Sequence, residues 1–214
     1  MSRSAPPSDE ELRSLLRTRF AGTRPGPPDD DRFVGLPASA SRELRHLIPD
    51  PTPAAVLVPI VDHPAALTVL LTERAAELRH HPGQISFPGG RSEPADAGLV
   101  ATALRETEEE IGLDRGRVEV IGFLPAHLII TGYRVTPVVG FVTPGAPLRL
   151  DPTEVASVFE VPLDFICEPA SIVETYRERL GTRFRTYELE HGGYRIWGAT
   201  AAILVSFRDL ISQV

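Results

Sequence analysis

Cysteine is almost missing from this chain. Cys167 is the only one in 214 residues, so no disulfide can form within it. That fits a reducing compartment. No apolar run reaches the ~18–20 residues of a membrane span. The opening stretch from Met1 to Pro7 lacks the apolar centre of a signal peptide. The closing Ile211-Ser212-Gln213-Val214 is not a peroxisomal address. The expected location is therefore the cytoplasm. Positive charge is also in short supply: 22 Lys and Arg face 29 Asp and Glu, for a net charge of −7. This balance argues against a general nucleic-acid or anionic-membrane surface. A small phosphorylated substrate stays open, because a few arginines and a metal can invert the field in one cleft. Glycine fingerprints of dinucleotide-binding folds are absent. His80-His81 lacks Cys or His partners at zinc spacing, and adjacent residues point in different directions.

What is present is an ordinary globular composition, 42% hydrophobic and 24% charged, with no internal repeats. The length suits one domain with an extension, or two small domains. Residues 1–50 stand apart. Ser8-Asp9-Glu10-Glu11 is a capping box that opens a helix through about Phe20. Gly22 to Asp31 reads as a Pro/Gly-rich linker with no core-forming residues. The globular pattern occupies 51–214. Ala54–Val61 and Leu67–Leu71 read as two strands joined by a turn. Glu77–Pro88 reads as a loop with a brief strand at Ile85–Phe87. Ala97–Ile111 is a predicted helix buried through Val100, Leu104, Thr107 and Ile111, with Gly112 just past its end. Val118–Leu124, Val135–Val142 and Ala156–Val161 read as strands. Arg183–Leu189 and Tyr194–Trp197 read as a hairpin. Ala199–Leu210 is apolar enough for a core helix. Strands, helix, strands, helix predicts a mixed sheet packed between helices.

The richest stretch is Phe87-Pro88-Gly89-Gly90 followed by Arg105 to Leu113. Glu106, Glu109 and Glu110 share one helix face. Like charges at this spacing repel by roughly 0.2–0.5 kcal/mol per pair. They also sit near the helix C-terminus, where the macrodipole disfavours them. At about 100° per residue they fall beside the buried stripe. A glutamate run is ordinarily a solvated face. A divalent cation would explain this one, because hard cations take carboxylate oxygens. Arg105 could orient one carboxylate through a bidentate contact. Gly89-Gly90 reads either as a tight turn or as a close backbone approach to a metal or phosphate.

These residues resemble the Nudix box, the loop–helix–loop signature of Nudix hydrolases: Gly, five residues, Glu, seven residues, then Arg-Glu-aliphatic-x-Glu-Glu-x-Gly-aliphatic. Arg105 to Leu113 matches except at Thr107. Counting five residues past Gly90 gives Asp96, and eight residues separate it from Arg105. Asp96 or Glu93 must therefore serve as the first acid. Upstream, Leu70-Leu71-Thr72-Glu73-Arg74 through Leu78-Arg79 and Gly83 to Phe87-Pro88-Gly89-Gly90 resembles the extended motif of coenzyme A pyrophosphatases, whose box is one residue longer. Thr131–Gly140 and Ile196–Ala201 are similar to other segments of that subfamily.

The resemblance spans roughly residues 54–205. It implies an α/β/α sandwich with a mixed sheet and hydrolysis of the coenzyme A diphosphate. It implies Mg2+ or Mn2+ held by Glu106, Glu109 and Glu110 with the Gly90 carbonyl, and makes a homodimer plausible. The catalytic candidates are Arg105, Glu106, Glu109 and the loop acid Glu154, with the base open among Glu106, Glu109 and Glu154. Arg74 and Arg79 are candidates to grip substrate phosphates, with Gly89 beside them. Phe87 and Tyr133 either stack on adenine or pack in the core.

Overall fold

The computed structural model describes residues 9–27, 32–33, 48–78, 81–129, 131–179 and 182–212. The chain forms helix α1 (Asp9–Phe20) and the two-residue strand β1 (Arg32–Phe33). Strands β2 (Thr52–Asp62), β3 (Leu67–Arg74), β4 (Ile85–Ser86) and β5 (Gly89–Arg91) follow. Helix α2 (Leu99–Ile111) leads to β6 (Val118–Phe123), β7 (His127–Ile129), β8 (Tyr133–Val142) and β9 (Val155–Pro162). The rest is α3 (Leu163–Cys167), β10 (Ile172–Arg179), β11 (Thr182–His191), β12 (Tyr194–Trp197) and α4 (Gly198–Ser212).

Alternation along the central strands builds the layers. Ala54, Val58 and Ile60 of β2 enter one core, together with Val69 and Leu71 of β3 and Val135 and Val139 of β8. Ala55, Leu57 and Val61 of the same β2 strand enter a second core with Leu70, Val138 and Val142. The first core is closed by α1 and α4, through Leu16, Phe20, Leu204 and Phe207. The second is closed by α2, through Ala103 and Ile111. The rings of Phe20 and Phe207 stack at 5.7 Å. The result is the expected α/β/α sandwich. Its sheet is mixed: β2 runs parallel to β8 and antiparallel to β3 and β5. β6 and β7 pair antiparallel with β8, and β9 with β3. A separate antiparallel sheet has the order β10-β11-β12. No helix among the described residues is long and apolar enough to cross a membrane.

Several details depart from the sequence expectation. Gly89-Gly90 lies in strand β5, where Gly89 and Gly90 face Val56 and Ala55 of β2, and is not a tight turn. Helix α2 starts at Leu99 rather than Ala97, because Gly98 at φ 126° cannot be helical. Its buried face carries Thr102, Ala103, Thr107, Glu110 and Ile111, while Val100 and Leu104 are half-buried. β10 has no apolar alternation to announce it. It forms because all its residues find partners on β11.

Candidate carboxylate site

Helix α2 crosses the sheet beside β5, with Gly112 closing it in the left-handed conformation at φ 67°. A glycine belongs there, since L side chains are strained at that φ. The three candidate glutamates of α2, Glu106, Glu109 and Glu110, have three different surroundings. Glu110 points inward, with its side chain 5% exposed, and its Oε2 accepts the Gly89 N–H at 3.1 Å. It lies within the buried face rather than beside it, which corrects the helical-wheel reading. Glu106 is half-buried under β5. Glu109 is 60% exposed and tied to Arg105.

Arg105 is the hub of the site. Its Nε and Nη2 grip the two carboxylate oxygens of Asp96 at 2.9 and 3.0 Å. Its Nη1 donates to Glu106 at 3.0 Å and to Glu109 at 2.9 Å, and Nη2 also reaches the Arg91 carbonyl. Every donor is engaged within the protein, so Arg105 orients carboxylates rather than presenting a hand to substrate. Of the two candidates for the first acidic position, Asp96 is the one that Arg105 grips. Among the described residues Glu93 contributes its main chain, donating its N–H to Asp96 Oδ2. Buried Thr102 donates to Asp96 at 2.9 Å and to Ser92 at 3.1 Å. The sequence reading missed Thr102 and Ser92; the hydroxyl of Thr102, nearly a turn before Arg105, was the available signal.

Burial and charge work against each other here. Burial raises the pKa of Glu110 to about 7, opposed by the Gly89 N–H and Arg74 and aided by Glu154 and Glu106. Burial also raises Glu106, partly offset by Arg105, while Glu109 and Glu154 repel it. The Arg105 bonds hold Asp96 well below the usual carboxylate range, and Asp96 raises Arg105 in return.

Arg74 reaches the site from β3. A bulge skips Ala156 of β9 between the partners of Glu73 and Arg74, and bulges of this kind re-aim a side chain. The Arg74 Nη1 stands 3.9 Å from Glu110 Oε1. Glu154 lies in the exposed turn before β9, close enough for its charge to raise both Glu106 and Glu110. Its carboxylate holds no hydrogen bond or ion pair among the described residues. Phe87 is 3% exposed in the core, so its ring is closed to a base, which corrects the stacking alternative. The Gly89 N–H is occupied by Glu110 and is not offered to substrate. Tyr133 is 40% exposed at the start of β8. Arg79 lies outside the described residues.

The donor set suits a hard divalent cation, being all oxygen. Two of the carboxylates are desolvated and repelled by their neighbours, a strain that a cation relieves. Among the described residues no three acidic, His or Cys side chains form a ready-made metal cluster. Gathering Glu106, Glu109 and Glu110 around an ion therefore requires side-chain rotation, with Glu109 leaving Arg105.

A model of the NUDIX domain matches residues 51–179, more than half of the chain. The chain belongs to the Nudix family. It is 43% identical over 205 residues to the Nudix hydrolase NudL of Shigella sonnei, which is described as uncharacterized, covering 95% of this chain and 97% of that one. The NudL of Photorhabdus laumondii, also described as uncharacterized, is 44% identical over 151 residues, 71% of this chain and 80% of that one. The fold is similar to that of a Nudix hydrolase of M. smegmatis, RenU, at a TM-score of 0.52 and 20% identity, covering 76% of this chain and 87% of the other. Nudix hydrolases generally use divalent metal ions and act on small molecules. As a Nudix hydrolase, this chain presents its box as β5, the Asp96 turn and α2.

Proposed function

We propose that this Nudix hydrolase cleaves the diphosphate of coenzyme A, giving 4′-phosphopantetheine and adenosine 3′,5′-bisphosphate. One juxtaposition carries the reading. Arg74 belongs to the Leu70–Arg74 segment that resembles coenzyme A pyrophosphatases, and it stands 3.9 Å from Glu110 of the box. A motif tied to one substrate class thus meets the carboxylates at the reacting centre.

Glu106, Glu109 and Glu110, with the Gly90 carbonyl, would hold Mg2+ or Mn2+. When bound, the cation would neutralise diphosphate charge and acidify the attacking water. Arg74 binds a diphosphate oxygen, adding positive charge where negative charge develops. Glu154 takes the proton from the attacking water, as the site's carboxylate without a competing partner among the described residues. The new P–O bond forms as the bridging P–O bond breaks, and the departing phosphate keeps the electron pair. Arg105 and Asp96 keep the helix carboxylates in place. Arg79 binds the 3′-phosphate, and exposed Tyr133 offers a stacking face to adenine. The enzyme works as a homodimer, which light scattering checks.

The test is product identification by mass spectrometry after incubation with coenzyme A and Mg2+, beside a matched incubation with ADP-ribose. Both named products and faster turnover of coenzyme A are expected. Clear preference for ADP-ribose overturns the substrate, and unchanged turnover in EDTA overturns the metal. Arg79→Ala should weaken coenzyme A more than dephospho-coenzyme A, and equal losses remove that assignment.

A further inference from the structure

The turn that carries Glu154 is fastened to the end of the carboxylate helix. Two main-chain donors of the segment after β8 reach the last carbonyls of α2. Arg149 N–H meets the Ile111 carbonyl at 2.8 Å, and Asp151 N–H meets the Glu110 carbonyl at 2.9 Å. The approach is close: a Cβ on Gly112 would fall 2.8 Å from the Arg149 nitrogen. Asp151 then turns the chain. Its carbonyl accepts the N–H of Glu154 at 3.0 Å and of Val155 at 2.8 Å. Its Oδ1 accepts the Thr153 N–H at 2.8 Å and the Thr153 hydroxyl at 2.7 Å. On the far side, the Glu154 carbonyl accepts the Ala75 N–H at 2.8 Å, one residue past Arg74.

We propose that Asp151 is a positioning residue that fixes where the Glu154 carboxylate stands over Glu106 and Glu110. This rests on the role given to Glu154 above. Glu154 is exposed and its side chain has no hydrogen bond or ion pair among the described residues, so its reach is set by its main chain. That main chain is clamped at three points: the Asp151 carbonyl, the Ala75 N–H and the β9 pairing that begins at Val155. The Asp151 side chain shapes the first of these by closing an Asx turn over Thr153. The Asp151 N–H to Glu110 bond ties that turn to the residue whose carboxylate lies deepest in the site. The turn and the helix therefore move as one piece.

The test uses the full chain with coenzyme A and Mg2+. Five proteins are compared for kcat, KM and melting temperature: wild type, Asp151→Ala, Asp151→Asn, Glu154→Gln, and Asp151→Ala combined with Glu154→Gln. Glu154→Gln should lower kcat by about 100-fold or more, the usual weight of a proton acceptor. Asp151→Ala should lower kcat about tenfold with KM within about twofold, since misplacement of a reacting group acts on the chemical step. Asp151→Asn keeps an oxygen that accepts both Thr153 bonds and should recover most of the loss. The double variant should fall no further than Glu154→Gln alone. Independent losses that multiply in the double variant overturn the proposal, as does a failure of Asn to recover what Ala loses. If Asp151→Ala does not fold, Thr153→Val removes the hydroxyl bond alone and should give a smaller kcat loss that again vanishes in the Glu154→Gln background; a loss that persists there overturns the proposal. Wild-type kcat in Glu154→Gln defeats the role of Glu154 itself, whereas a large Glu154 effect with none at Asp151 defeats only the present inference.

Discussion

A Cβ built on Gly90 would lie 2.4 Å from Oε2 of Glu106. The neighbouring Gly89 is crowded differently: its Cβ would strike the Ala55 carbonyl at 2.4 Å and the Val56 Cα at 2.5 Å, at a φ of 147°. One glycine makes room for a functional side chain, the other for the backbone of β2.

The two alanine variants should therefore separate activity from stability. Gly90→Ala displaces only the flexible end of Glu106, so it should fold with little change in melting temperature and lose turnover at least tenfold. Gly89→Ala must move a central strand and should cost on the order of 2–4 kcal/mol. Thermal melts beside initial rates check this. A strongly destabilised Gly90→Ala protein would contradict it.

Glu110 predicts the pH dependence of the metal-free protein. Its folded pKa is raised from 4.5 to about 7. Between those values the folded state binds more protons than the unfolded state, so stability falls as pH rises. The cost, complete above pH 7, is on the order of 3 kcal/mol. Glu110→Gln keeps an acceptor for the Gly89 N–H and removes the charge. In EDTA at pH 8 it should melt higher than wild type, with the gap closing towards pH 5. It should also abolish metal-dependent turnover. An equally pH-sensitive Glu110→Gln melt would show that another group is responsible.

Arg105→Lys tests the hub. A lysine keeps the charge but cannot span Asp96, Glu106 and Glu109 at once. Turnover should drop about tenfold or more, as misplaced groups do. Full activity in Arg105→Lys would mean that the fork geometry is dispensable.

Arg74→Ala should raise KM for coenzyme A about tenfold, roughly the weight of one charged hydrogen bond. It also removes the cation that lowers Glu110, so the pH-dependent loss of stability should extend above pH 7. An unchanged KM would release Arg74 from substrate binding.

The layer order and most strands were legible because Ala54–Val61 is a short, nearly continuous apolar run and Val135–Val142 is rich in β-branched residues, as strands buried on both faces are. The carboxylate helix was legible because Glu106, Glu109 and Glu110 make little sense without a ligand. Legibility ended where tertiary contacts decide. Glu110 looks like a border residue on a wheel, and its burial comes from β5 lying over it. Gly89-Gly90 has the composition of a turn, yet pairing with Val56 and Ala55 of β2 places it in a strand. The bulge that turns Arg74 depends on Ala156, a residue distant in sequence and without a local signal. Asp96 and Glu93 could not be separated by spacing, since the choice is made by the reach of Arg105.

Helices α1 and α4, the first and last described elements, both lie on the sheet face opposite α2. Attachment to a surface or a fused carrier through either of them would leave the carboxylate face turned outward. Tethering through α1 or α4 would thus act from the side of the sheet away from α2.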